Sequence, residues 1–323
     1  MQHLLPRFPS GRPSFGKAVL SLSMVCCFAN ATLANTIIER GKIYKIRNQV
    51  DISRGQQSNW NEAMLGDAIA PQDSVRTGAN SRADLLFNEG TLVRTGAGTT
   101  FRFPPGKRSF ELTSGAALIM IRPEQGQSTI VTPEAKVVSQ GTALFVQHDP
   151  QNSSSLVGVL TNSPAGLVQV SSINGEVTIK LQAGQFVSIV RGVIGLVEHF
   201  VLPMFYETVE LALGLGLKPK EMEAIIASES PEVQATIRAV QAEAIEPLQN
   251  QLAWLQGFCK LEVETENITS LLQLLGIRVL GTQLNLEASE SLSVIPFRSL
   301  SGAVWLGEYC QEDSLTLPGF ETE

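Results

Sequence analysis

The feature that most constrains this chain is the punctuation of residues 36–195. Short runs rich in Val, Ile, Thr and Phe recur there, and Gly, Asn, Pro and Ser separate them. Such runs read as half-buried strands joined by tight turns, because β-branched and aromatic side chains pack well on a pleated surface. Strands are expected at 43–46, 84–87, 91–94, 101–103, 109–112 and 117–121, then at 129–132, 135–138, 143–147, 155–160, 167–170, 176–181 and 185–190. Asn174-Gly175 reads as a two-residue hairpin turn, since both positions of the favoured turn must tolerate positive φ. Asn88-Glu89-Gly90 reads as a three-residue turn with Gly90 in the left-handed place. The expected fold is mainly β, a sandwich, barrel or solenoid rather than an alternating α/β sheet.

After residue 195 the period changes. Residues 207–217 lose alternation and end at Gly214 and Gly216, as a helix near its stop would, and 219–228 is a second short helix. The clearest helix starts at Ser230-Pro231 and sets Val233, Ile237, Val240 and Ala244 on one face. Pro247 is expected to end or kink it, after which Leu248, Leu252 and Leu255 resume the period up to Gly257. That stripe is expected to pack on the β domain. Alternation returns at 261–266 and 277–286, and the tail is acidic. The expected organisation is a leader at 1–34, an all-β domain at 35–195, a helical region at 196–260, and a smaller α/β extension at 261–323.

The leader rests on Arg7, Arg12 and Lys17, followed by an uncharged apolar run from Ala18 to Ala29 and small residues through Ala34. That is the layout of a secretory signal, with cleavage expected before Thr32 or, preferred, Asn35; the competing reading is a retained anchor. Export places the protein in the periplasm or outside the cell. Of four Cys, only Cys259 and Cys310 lie beyond the leader. In an oxidising compartment they form either one disulfide or two isolated thiols.

Charge excludes one class of partner. The whole chain has a formal charge of −7, which argues against binding nucleic acid. The charge is divided: residues 35–200 hold 15 basic against 13 acidic groups, and 201–323 hold 6 against 18.

One ordered set of motifs is informative. Val75-Arg76-Thr77-Gly78-Ala79-Asn80-Ser81-Arg82-Ala83-Asp84-Leu85 leads into Asn88-Glu89-Gly90, then Glu111-Leu112-Thr113-Ser114-Gly115, Val131-Thr132-Pro133, Gln140-Gly141-Thr142 and Leu181-Gln182-Ala183-Gly184-Gln185. In that order, over about residues 38–195, the chain resembles the FecR domain family, named for the periplasmic part of an iron-citrate transport sensor. The resemblance implies a sandwich- or solenoid-like β domain that contacts another envelope protein and has no catalytic residues. Residues 1–17 alone precede the apolar run, so the module is expected to carry over and the transmembrane circuit is not.

The residues themselves offer little chemistry. Short Cys/His metal spacings, nucleophile elbows and phosphate loops are missing from the sequence, so no cofactor, metal or catalytic residue is expected. Arg76, Arg82, Arg94, Arg102, Lys107, Arg108 and Arg122 stand against Asp84, Glu89 and Glu111 over the same interval. Strand alternation could gather them on a sheet face as a contact surface for an acidic partner, an anionic glycan or the chain's own acidic half. The competing reading is a set of solvated strand faces that discourage edge pairing. The function expected is protein contact or sensing in the envelope; the alternatives are a polysaccharide-binding or architectural protein and, less favoured, a wall-acting hydrolase, whose two carboxylates could come from distant segments.

Overall fold

The computed structural model describes residues 38–259, apart from 56, 106–107, 213 and 216–218. The leader, Lys107, the side chain of Cys259, Cys310 and all of 260–323 lie outside the described residues, and with them the expected signal, disulfide and C-terminal extension.

The described strands form two sheets. The inner sheet runs, edge to edge, β4 (Ala68–Ile69), β1 (Gly41–Arg47), β6 (Arg82–Phe87), β7 (Leu92–Thr95), the second half of β9 (Ser109–Met120), β12 (Ala143–Asp149), β13 (Ser154–Val159), β16 (Gln185–Val190) and β17 (Val193–His199), all antiparallel. The outer sheet runs β3 (Asn61–Glu62), β2 (Val50–Ser53), β5 (Ser74–Thr77), β8 (Thr100–Arg102), the first half of β9, β10 (Gln127–Val131), β11 (Ala135–Gln140), β14 (Val168–Ser172) and β15 (Thr178–Leu181). Among the described strands only the β9–β10 pair is parallel. The fold is mainly β, as the sequence implies, with a helical region after it.

β9 belongs to both sheets. The expected strands at 109–112 and 117–121 are one continuous strand, bent at Gly115 with φ +79°. A Cβ at Gly115 would lie 2.5 Å from the Thr99 Cα, so glycine alone fits where the strand crosses from one layer to the other.

Side-chain alternation builds the first core between the sheets. Leu85, Phe87, Val93 and Ile119 point from the inner sheet to meet Val75, Phe101, Phe110 and Ile130 from the outer one. Phe87, Phe101, Phe103 and Phe110 form an aromatic knot, with Phe87 and Phe110 centred 5.0 Å apart. The other face of the inner sheet is covered as well. Leu86, Leu92, Leu118, Met120, Phe145 and Phe186 pack beneath helices α1 (Leu202–Thr208) and α3 (Pro231–Cys259), against Phe205, Tyr206, Ile237 and Val240. A sheet covered on both faces has no solvent-facing side, which is why Ala83 to Phe87 are all buried.

α3 lies across the strands. Thr236 Oγ1 donates to the Gly90 carbonyl at the β6–β7 turn, and fifteen residues later Gln251 Nε2 donates to the Phe200 carbonyl beyond β17. Fifteen helical residues rise about 22 Å. The five strand steps from β7 to β17 span about 24 Å, so the helix is the length of the sheet it covers.

Three local expectations are corrected. The strands run four residues beyond 195, to His199. The first helix is Leu202–Thr208, entered through Pro203 in its first turn, and Val209 is extended, so Glu210–Ala212 forms a separate 3₁₀ turn instead of the helix expected at 207–217. The next helix, α2, spans Pro219–Ala227. Pro247 does not end α3, because packing on the sheet holds both flanks of the proline in one helix. At Asn174-Gly175 only Gly175 takes positive φ, and the loop closes through Gly175 N–H donating to the Ser172 carbonyl, so it is longer than a two-residue turn.

Candidate functional site

The basic residues singled out in the sequence fall in three places. Arg76 and Arg102 lie on the solvent face of the outer sheet. Arg76 pairs with Asp51 at 2.7 Å and lies 4.4 Å over the Trp60 ring, and Arg102 pairs with Glu111 at 3.5 Å.

Arg108 and Arg122 converge on the Asn88-Glu89-Gly90 turn. Arg108 lies 3.2 Å from Glu89, with side chains 4% and 0% exposed, and its Nε donates to Ser128. Burial lowers the Arg108 pKa, and Glu89 opposes that shift. Arg122 donates to the Glu89 carbonyl at 2.6 Å and pairs with Glu124 at 3.3 Å. A Cβ on Gly90 would meet the Arg122 guanidinium at 2.8 Å. Thr91 also donates to Glu89. The turn is therefore a hub on which β6, β7, β9 and α3 meet, and its charges are spent on holding it.

Arg82 and Arg94 face the helical layer. Arg94, 2% exposed, donates to the Leu211 carbonyl at 3.0 Å and lies 3.7 Å from Asp84. Burial pulls its pKa down to about 10 despite the pull of Asp84 in the other direction. Arg82 holds Asp84 at 3.0 Å and donates to the Glu210 carbonyl at 3.1 Å. Beside them Tyr44 and Lys45 both donate to the buried Glu229, at 3.0 and 2.5 Å, and Tyr44 Oη accepts from Ser230 N–H. Of the three partners that sequence suggests for the basic set, these two arginines meet the chain's own acidic half.

Among the described residues no group of three or more His, Cys, Asp and Glu side chains could hold a metal ion. His148 is buried, with Nδ1 3.0 Å from Ser155 Oγ, which itself donates to Thr132 Oγ1. The Ser155 hydrogen is thus directed at Thr132, and the imidazole donates from Nδ1. His199 lies at the surface against Gln185. No described helix is long and apolar enough to cross a membrane.

The surface feature that sequence reading missed is β17. Among the described residues it pairs with β16 alone, and Val193 and Leu196 are 71% and 85% exposed, with Val190 and Val197 also open to solvent. The run Val193-Ile194-Gly195-Leu196-Val197 is apolar at both parities and has no Lys or Pro to blunt its edge. That composition was a signal in the sequence, and the placement of the helical boundary at 196 concealed it.

A protein-family profile described as FecR protein matches residues 73–163. Residues 73–163 are thus similar to the FecR family. The match opens just before β5 and closes after β13, so the matched segment contains the crossing strand β9, the Glu89 hub and the aromatic knot, while β17 and the helical layer follow it. Two crystal structures of a candidate anti-sigma factor from Parabacteroides distasonis ATCC 8503, at 1.65 and 2.50 Å resolution, are similar to this chain at 22% identity. Each gives a TM-score of 0.34 and covers 39% of this chain and 59% of that one. No curated protein matches the chain.

Proposed function

We propose that this is a non-catalytic, exported protein whose FecR domain serves sensing or regulation in the cell envelope by contacting another envelope protein. The observation that carries the reading is the FecR match at 73–163. Two features are in keeping with it. Arg82, Arg94, Arg108 and Arg122 are engaged in holding the fold, and the edge of the inner sheet at β17, unpaired among the described residues, offers backbone N–H and C=O groups to which an extended segment of a partner could add as a further strand.

Export is tested by N-terminal sequencing of the mature protein, which is expected to begin at Asn35 or Thr32; an intact Met1 in the cytosol overturns it. Contact is tested by capture from envelope extract with the full chain and with Leu196→Lys. Leu196 is nearly fully exposed, so the lysine leaves the fold intact. A partner retained by the wild type and lost at least tenfold by the variant is expected. No partner above the bare-matrix control, over several growth conditions, overturns the docking reading, and equal capture by both forms removes β17 from it.

A further inference from the structure

Midway along α3, Glu243 sits over the ends of β12 and β13. Its Oε2 lies 3.2 Å from Thr161 Oγ1, and its buried Oε1 has no hydrogen-bond partner among the described residues. Thr161 Oγ1 accepts the Ala143 N–H at 2.9 Å and lies 2.8 Å from Thr142 Oγ1, which in turn reaches the Thr161 carbonyl at 2.6 Å. Thr142 and Thr161 are buried.

The hydrogens in this chain can be counted. A carbonyl cannot donate, so the Thr142 hydroxyl hydrogen points to the Thr161 carbonyl. Thr161 Oγ1 accepts the Ala143 N–H and donates to Glu243 Oε2. That single donor meets one carboxyl oxygen, and Oε1 is left buried with no donor among the described residues, so an ionised Glu243 holds its charge there unmet.

The same residue marks the weak point of the helix. Pro247 has no N–H, so the Glu243 carbonyl receives no helical bond, and the proline ring crowds that carbonyl. On either side α3 is well held. The first half is tied by Glu229 to Tyr44 and Lys45, by Thr236 to Gly90, and by Gln241 to the Gly214 carbonyl. The second half is tied by Gln251, which donates to the Phe200 carbonyl and accepts from Leu202 N–H at 2.7 Å.

We propose that α3 is a proton-operated hinge: with Glu243 neutral the helix lies bound along its whole length, and with Glu243 ionised the half from Pro247 onward releases the strand ends it covers. The charged groups around Glu243 agree on the sign. Glu124, in the 3₁₀ turn Pro123–Gln125, is a like charge, partly met by Arg122; Tyr206 of α1, which donates to the adjacent Leu160 carbonyl, stays neutral because burial raises its pKa; Glu246 on α3 itself is exposed. Burial chiefly, with Glu124 adding and the Thr161 contact opposing, moves the carboxyl from its ordinary 4.5 to about 7. A raised carboxyl favours the docked state below its ordinary value and loses that advantage as pH climbs to the raised one. Opening should therefore increase about tenfold per pH unit between 4.5 and about 7, then level off.

The test is amide hydrogen exchange of the full chain from about pH 5 to about pH 8, corrected for intrinsic rates and resolved into peptides from 231–246 and 247–259. Opening of the second half is expected to follow that rise and plateau, the first half to stay level, and Glu243→Gln to flatten the profile. A flat wild-type profile, equal rises in both halves, or an unchanged slope in the variant overturns the hinge. Should the variant fail to fold, the side-chain carboxyl of Glu243 is titrated by NMR in the wild type. A midpoint near 7 supports the proposal, and one near 4.5 overturns it.

Discussion

Glu89 and Arg108 show how single residues fix the motif turn. Both are withdrawn from water, and removing one partner leaves the other charged and buried. Arg108→Ala is expected to lower unfolding free energy by about 3–5 kcal/mol in denaturant titration, whereas the Glu89→Gln/Arg108→Met pair should cost much less than the single change. Two glycines separate by what they face. Gly115→Ala and Gly90→Ala each incur about 1–2 kcal/mol for an L residue at positive φ. At Gly115 the new methyl also meets the Thr99 backbone, while at Gly90 it meets the movable end of Arg122, so Gly115→Ala should be the more destabilising in the same assay. His148 adds a pH dependence of its own. Burial holds its pKa below the ordinary 6.5, against the pull of Glu134 and Asp149. A depressed imidazole stabilises the fold above the unfolded value and loses that contribution as pH falls through it. Unfolding midpoints should therefore drop below about pH 6.5, and His148→Gln should blunt the drop.

At the scale of elements, sequence periodicity was most reliable where one neighbour decided the outcome. The strands at 84–87, 143–147 and 185–190 and the face Val233, Ile237, Val240 and Ala244 emerged where their patterns put them. The failure at β9 has a physical cause. Gly115 reads as a turn in sequence, and only the Thr99 backbone, distant in sequence, shows it to be a bend within one strand. α3 also has a prediction at this scale. Proline in a helix interior costs about 3 kcal/mol relative to alanine. Pro247→Ala is expected to raise thermal stability by up to that amount, measured by calorimetry, because the Glu243 carbonyl regains a donor.

At the scale of the whole molecule, the described residues form three layers: outer sheet, inner sheet and helices. The inner sheet is apolar on both faces, so the helical region is a necessary cover for it. A chain ending at residue 199 would expose Leu86, Leu92, Leu118 and Phe145 together. Such a truncation is expected to associate at micromolar concentration in light scattering, where the full chain stays dispersed. The basic set belongs to this scale too. Arg82 and Arg94 look like surface charges in sequence, yet they lie under the helices and bond to the carbonyls of Glu210 and Leu211.

The sequence by itself determined the mainly β class, the positions of most strands and of the long helix, and the motif order of the FecR domain, because these depend on local pattern and turn chemistry. Only the tertiary structure decided that one strand serves both sheets, which arginines are interior, that Glu243 rests on a pair of threonines, and that β17, among the described residues, pairs on one side alone. Those features arise from contacts between residues far apart in the chain, where burial and hydrogen-bond counting act and local periodicity has no reach.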